Sequence, residues 1–231
     1  MTDLFSYLQR RPYPGRGILL GHTPDARPVA AYFIMGRSEN SRNRVFEKTA
    51  DGIRTRAYDP AKLTDPSLII YHPVRRVGET LVVTNGDQTD TLRDALAQGK
   101  GWLEALSSRA FEPDEPNWTP RISGLIQPCG SRMLSILRAL DGKPDCCERH
   151  FYTWDAPTPG RGHFISTYEG FGSPLPSFAG EPVAVALPDG GAADLAARLW
   201  DALDSDNRVA LYVLVGDTEV ILNKHKEADE E

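Results

Sequence analysis

The sequence predicts an α+β layered sandwich rather than a doubly wound sheet. Apolar runs follow one another across short turn signals, without the helical crossovers that parallel strands need. Three or four helical patterns stand against about ten strand patterns, so the two do not alternate as in a βαβ chain. One run, "RVALYVLVG", is apolar throughout, which fits a central strand covered on both faces.

"DLFSYLQR" (3 to 10) reads as a short amphipathic helix with Asp3 as its cap. "RGILLGHT" and "RPVAAYFIMG" flank the turn signal "TPDA" and read as antiparallel strands. "RVFEKTADGIRTRAY" places Asp51-Gly52 between alternating segments, a hairpin signal. "SLIIYHPVRRVGETLVVTNG" supplies two more strands around a Gly-containing turn. "DQTDTLRDALAQG" is helical, with Leu92, Ala95 and Leu96 on one face and Gly99 ending it; "GWLEALSSR" continues as a second helix. The proline-rich "FEPDEPNWTPRISG" (111 to 124) is a loop leading into the strand "RISGLIQP". "SRMLSILRALDGKPDCCERHFYTWD" is a hairpin closing at Asp141-Gly142, its first arm also compatible with a helical period. "HFISTYEG" and "EPVAVAL" are strands, and "GGAADLAARLWDAL" is an amphipathic helix before the apolar strand. No linker interrupts this order, so residues 1–231 read as one domain, with "KEADEE" (226 to 231) a frayed acidic tail.

The composition, 40% hydrophobic and 25% charged, is that of an ordinary soluble protein. No apolar run approaches the roughly 20 residues that span a bilayer, and "MTDLFSYLQRR" lacks the apolar core of a secretory signal. Cys129, Cys146 and Cys147 are odd in number and include two neighbours, a poor disulfide framework that points to the cytoplasm. Net charge -6 and pI near 5.4 argue against nucleic acid as a partner.

Phosphate-loop, dinucleotide, zinc-protease and nucleophile-elbow motifs are absent. Cys146, Cys147 and His150 have the wrong spacing for a zinc site, and no second pair follows. His72 and His163 lie near polar motifs, although a satisfied strand histidine is the commoner outcome. Five polar stretches remain: "YPGRG" (13 to 17), "GRSENSRNRVF" (36 to 46), "YHPVR" (71 to 75), "TNGDQTDT" (84 to 91), and "NWTPRISG" (117 to 124), answered much later by "GRGHFISTYEG" (160 to 170). Each alone is explained equally well by turn chemistry or a helix cap. Together they fall at strand ends, where sandwich proteins assemble sites. Arg37, Arg42 and Arg44, spaced by Asn40 and Asn43, form an anion-directed cluster inside a negatively charged chain; pairing of these arginines with Glu39 and Glu47 is the plain alternative.

"GRSENSRNRVF", "TNGDQTDT", "PNWTPRISG" and "GHFISTYEG" resemble, in order, the archaeal-type IMP cyclohydrolase family, which also has bacterial members; the chain is read as one of these. The likeness runs from about Tyr13 to Val215, and the archaeal pattern has a shorter loop where this chain has "GRSENSRNR". The resemblance implies a four-layered αββα sandwich similar to N-terminal nucleophile hydrolases. It implies closure of the purine ring of formamido-AICAR to IMP and water, without metal or organic cofactor. The partner is then a nucleotide monophosphate, and a homo-oligomer stays open.

That reaction is intramolecular, so it needs oriented polar groups rather than a covalent nucleophile. Arginine forks suit the 5′-phosphate, which assigns Arg37, Arg42 and Arg44 to it, with Asn40 and Asn43 as neutral donors. Tyr71 is the candidate for the formyl oxygen. Asn85 and Asp87 are candidates for the carboxamide or ribose, and Arg121 for phosphate or the developing oxyanion. Tyr168 and Glu169 complete the set, Glu169 as a base or as a group orienting an arginine. Two other classes stay open: a non-catalytic nucleotide-binding protein, and an amidohydrolase using Thr2 exposed by removal of Met1.

Overall fold

The protein was analysed as a computed structural model that describes residues 1–227. The end of the acidic tail, 228–231, lies outside the described residues. The elements run α1 (Leu4–Gln9), β1 (Arg16–His22), β2 (Pro28–Met35), α2 (Glu39–Arg42), β3 (Arg44–Thr49), β4 (Gly52–Ala57), β5 (Val74–Val77) and β6 (Thr80–Thr84). They continue α3 (Gln88–Ala97), α4 (Trp102–Ser107), β7 (Arg121–Ile126), β8 (Arg132–Ala139), β9 (Cys147–Trp154), β10 (Arg161–Ser166) and β11 (Val183–Ala186). The chain then forms α5 (Ala192–Ala202), β12 (Arg208–Val215), β13 (Thr218–Asn223) and α6 (Lys224–Glu227).

Two antiparallel sheets form, flanked by helices. One has six strands in the order β11-β10-β1-β2-β12-β13; the other has seven, β3 to β9, in chain order. Strand alternation sorts the apolar side chains into three clusters. Ile18, Leu20, Tyr32, Ile34, Ile122 and Tyr212 pack between the sheets. Leu19, Phe33, Leu211 and Val213, from the other face of the same strands, pack against Leu4 and Leu8 of α1 and Leu195 and Leu199 of α5. Val82, Leu125 and Leu137 of the second sheet pack against Leu92 of α3 and Trp102 and Leu106 of α4. β1, β2 and β12 are therefore apolar on both faces. β12 is interior but lies one strand from the edge, between β2 and β13.

Several expectations change. "SLIIY" is not a strand: Pro66 starts a turn in which Ile69 and Ile70 amides donate to its carbonyl, and the strand begins at Val74. Tyr71 is held instead by Thr55, whose amide donates to the Tyr71 carbonyl while its hydroxyl accepts from the Tyr71 amide. The first hairpin turns at Ala50-Asp51, and Gly52, at φ 156°, opens β4. The stretch "GRSENSRNRVF" contains a four-residue helix, α2, closed by reciprocal Ser38 and Ser41 bonds. β13 was missed, because Thr218 to Asn223 is only half-buried and its alternation is blurred. The hairpin at Asp141-Gly142 forms, with φ of 50° and 69° there.

β1 spans the molecule and separates two buried polar ends. At the far end Arg132 of β8 is fully buried. It reaches His22 Nδ1 at 3.3 Å, Thr158 Oγ1 at 2.6 Å and His163 Nδ1 at 3.3 Å, and lies over the Trp154 ring. Among the described residues no carboxylate pairs with it. Burial and then Arg132 hold His22 low; burial, Arg132 and Arg161 push His163 down to about 4. At a third place Asn223 seals an edge: its Oδ1 accepts from the Phe46 amide at 2.7 Å and its Nδ2 donates to the Phe46 carbonyl at 3.0 Å.

Both histidines are neutral in the fold, whereas in the unfolded chain they protonate near about 6.5. Their contribution to stability is full above that value and is lost as pH falls toward 4. His163→Gln should therefore lose less stability than the parent between pH 7.5 and 5, read as the shift in urea midpoint; an identical shift would exclude this cluster as an acid-sensitive point.

Candidate functional site

The start of β1, the ends of β2, β6 and β10, and the starts of β3 and β7 meet at the other end of the sandwich. They surround a cleft of about 380 Å³. Arg37, Ser38, Asn40, Ser41 and Asp65 line its mouth; Arg16, Glu112, Thr119 and Tyr168 line it more deeply. Gly15 shapes the entry. Its φ is +75°, and a Cβ there would meet Tyr168 Cδ2 at 2.5 Å, so the "YPGRG" turn is pressed against the end of β10.

Three ionisable residues dominate the interior. Arg44 is 0% exposed; its Nε donates to the Ser41 carbonyl at 2.8 Å, but both terminal nitrogens lack a partner. Burial disfavours its charge, Tyr71 favours it, and the nearby Arg16 cation disfavours it. Arg16 lies 3.7 Å from Glu112, which overcomes burial and keeps the guanidinium firmly charged. Glu112 is itself 2% exposed, and burial pushes it up to about 7 against the pull of Arg16, Arg121 and Arg44. Two buried cations thus lie near a carboxyl that burial holds up to about 7, and Asp114 and Asp65 also line the cleft. Tyr71 and Tyr32 share a 2.7 Å hydrogen bond, and Tyr168 meets Thr119 through their hydroxyls.

A second network supports Glu112. Asn85 Oδ1 accepts from the Ile122 amide at 2.8 Å and from Gln88 at 3.0 Å; its Nδ2 donates to Pro120 O at 2.9 Å and reaches Glu112 at 3.5 Å. Arg121 donates to Gln88 Oε1 at 2.7 Å and to Asp87 at 2.6 Å. Burial would raise Asp87, but Arg109 and Arg121 outweigh it and hold the carboxyl below its ordinary value. Gly86 permits this approach, since a Cβ there would come within 2.5 Å of Arg121 Nη1.

A family profile described as "IMP cyclohydrolase-like protein" matches residues 13–220. The chain belongs to the IMP cyclohydrolase-like family. Among curated relatives, the IMP cyclohydrolase of Methanopyrus kandleri is 39% identical over 115 residues, 48% of this chain and 57% of that protein. That of Halobacterium salinarum is 31% identical over 131 residues, 55% and 63% of the two chains. That of Methanocaldococcus jannaschii is 32% identical over 119 residues, 49% and 56%. The chain thus spans little more than half the length of the curated relatives it matches. Every residue lining the cleft lies inside the IMP cyclohydrolase-like match, which begins at Tyr13.

The cleft of this IMP cyclohydrolase-like chain gathers Arg37, Asn40 and Tyr168 in its lining, with Arg44, Tyr71, Asn85 and Arg121 buried around it. Other sequence candidates are engaged elsewhere. Arg42 donates to Gly36 O and Asn207 Oδ1, and Asn43 is tied to the Asp59 backbone. Glu169 accepts from the Ala179 amide and lies 3.8 Å from Arg11, outside the cleft lining. The pairing of the arginine cluster with Glu39 and Glu47 does not occur: Glu39 meets Lys62, and Glu47 meets Arg54 and Arg56. His72 Nδ1 accepts from Arg75, as His163 Nδ1 does from Arg132. Among the described residues no group of three or more His, Cys, Asp or Glu is placed to hold a metal, and no helix is long and apolar enough to cross a membrane.

Sequence reading missed Arg16, Tyr32, Glu112 and Thr119. Arg16 lies in the turn "YPGRG", beside Gly15, the glycine that marks a close approach. Glu112 is one of several acids in a proline-rich loop, and only its burial distinguishes it.

Glu112 gives the site a pH signature. Its folded carboxyl binds a proton up to about 7, whereas the unfolded one releases it near about 4.5. Stability from this group is present below the unfolded value and falls as pH rises toward 7, by up to about 3 kcal/mol. This opposes the histidine effect in the same window. Glu112→Gln should therefore lose more stability than the parent on acidification from pH 7.5 to 5, by urea denaturation; an unchanged loss would place the titration elsewhere.

Proposed function

We propose that the protein is an IMP cyclohydrolase that closes the ring of formamido-AICAR to IMP with loss of water, the last step of de novo purine synthesis. The observation that carries this reading is a nucleotide-sized cleft lined by Arg16 and a Glu112 carboxyl poised near 7, with Tyr71 and Arg44, whose two terminal nitrogens lack partners, buried around it. Family membership supports the same chemistry.

The phosphate is assigned to the mouth, to Arg37 with Asn40, Ser38 and Ser41. A dianion held there keeps part of its hydration. Arg44 is assigned to the reacting end, because it is fully buried and lies near Tyr71, whereas Arg37 is exposed at the mouth. In this reading Arg16, Arg44 and Tyr71 face the formyl oxygen, where negative charge develops as the carboxamide nitrogen attacks the formyl carbon. Glu112 takes the proton from that nitrogen as the new C–N bond forms and passes it to the formyl oxygen, which becomes a hydroxyl. Glu112 then takes the proton of the former formamide nitrogen and delivers it to that hydroxyl, which leaves as water as the C=N bond forms. A base near 7 suits both transfers. Asn85 positions Glu112, and Asp87 positions Arg121; Tyr168 lies along the substrate, and Glu169 fixes the loop that follows it.

Supporting proposals follow the same reading. Residues 1–231 form one domain, and the two sheets with their helices form a four-layered αββα sandwich like that of N-terminal nucleophile hydrolases. The three apolar clusters support this layering. The longer "GRSENSRNR" loop supports a bacterial placement, and unpaired Cys129, Cys146 and Cys147 support a cytoplasmic one. An amidohydrolase reaction at Thr2 is disfavoured: its amide donates to Ala184 O at 3.0 Å, at the edge of the six-stranded sheet.

Purified protein mixed with formamido-AICAR should generate IMP absorbance, and prior EDTA dialysis should not diminish it. Tyr71→Phe should lower kcat roughly tenfold to a thousandfold while still binding IMP. Arg37→Ala should raise KM about tenfold with a smaller effect on kcat, as loss of uniform binding does. IMP binding without turnover would leave the non-catalytic nucleotide-binding reading.

A further inference from the structure

The α2 segment carries the mouth residues but makes few apolar contacts of its own; none of its residues is buried. Lys62 meets Glu39 and Arg44 donates to the Ser41 carbonyl, and further ties come from the C-terminal part of the chain. The Gly36 amide donates to Asn207 O at 2.9 Å, and Arg42 Nη2 donates to Asn207 Oδ1 at 3.0 Å. On its outer side the α2 carbonyl of Arg42 meets His225 Nε2 at 3.0 Å. The His225 ring stacks on Tyr58 at 4.2 Å between centroids and 9° between planes. Lys224 anchors the same helix, α6, by donating to the carbonyls of Ser205 and Asp206 at 2.8 and 3.0 Å, just before Asn207. α6 lies beyond residue 220, where the family match ends.

We infer that His225 is a positioning residue for substrate binding: it and Asn207 clasp the α2 segment from outside and inside, so that Arg37, Ser38, Asn40 and Ser41 are held ready for the substrate's phosphate. This rests on the proposed assignment of the phosphate to the mouth. A four-residue helix cannot sustain itself in water, and its carbonyl ends need partners. The His225 imidazole supplies one, and Tyr58 fixes the plane in which it does so. Loss of the clasp leaves the floor, and hence the chemical step, in place. It makes ordering of the loop a cost of each binding event.

His225→Ala should raise KM for formamido-AICAR and weaken IMP binding by calorimetry, each roughly threefold to tenfold, with kcat within twofold of the parent. His225→Gln, which retains an amide donor, should recover part of the affinity; His225→Phe, which retains only the ring, should recover less. Amide exchange at Arg42 and Asn43 should quicken in His225→Ala while the thermal midpoint stays within a few degrees. Unchanged exchange there would overturn the clasp, whatever the protein proves to bind. Faster exchange with unchanged affinity for IMP would overturn its role in binding. If the parent protein neither turns over formamido-AICAR nor binds IMP, the functional reading falls, and the exchange result alone decides whether the clasp exists.

Discussion

A guanidinium shut away from water must be answered from within, and this chain buries several near its two polar ends. Charges removed from water without a partner cost several kcal/mol each. At one end Arg132 is met by two neutral imidazoles, a hydroxyl and an indole face. At the other, Arg44 has a single carbonyl, while Arg16 shares the interior with one carboxyl that burial keeps from full ionisation. The apolar clusters between and outside the sheets hold the chain together against this cost. The second end keeps two Arg44 nitrogens without a partner. The same burial that makes the cations costly makes them effective, because water does not screen their field.

The sheets were legible where alternation and turn chemistry agreed. "RGILLGHT" and "RPVAAYFIMG" gave β1 and β2, and Asp141-Gly142 gave the β8–β9 hairpin. Legibility failed where a neighbour, not the local pattern, decides the conformation. "SLIIY" carries a strand's composition, yet Pro66 and the Thr55 hydroxyl fold it into a turn that sets Tyr71. β13 pairs with β12 despite its mixed pattern, since an exposed flank suffices for an edge strand. In the site, the order of the motifs was readable and their division of labour was not. Arg37, Arg42 and Arg44 look alike in sequence. Only the fold makes one a mouth residue, one a tie to Asn207, and one a buried cation. Glu112 could not be told from Asp114 or Glu115 until its burial was known.

The α2 segment links these themes. Its serines close a single turn locally, while its orientation is set by residues more than a hundred positions later in the chain. The shape of the mouth and completion of the fold are therefore coupled, since β12 and the segment after β13 supply contacts to α2.

The bond pair between Asn223 and Phe46 has a different bearing. By presenting one carbonyl oxygen and one amide to the backbone of β3, the Asn223 side chain imitates a single residue of a neighbouring strand. It thereby occupies a place where another molecule's strand would dock. β13, at the rim of the other sheet, is drawn against β3 by the same bonds, so one side chain ties the two rims at Phe46. β11 is partly covered by Thr2. Among the described residues this leaves β9 as the rim most open to intermolecular pairing, and Glu148 and Arg149 on it oppose growth of a continuous sheet from copy to copy.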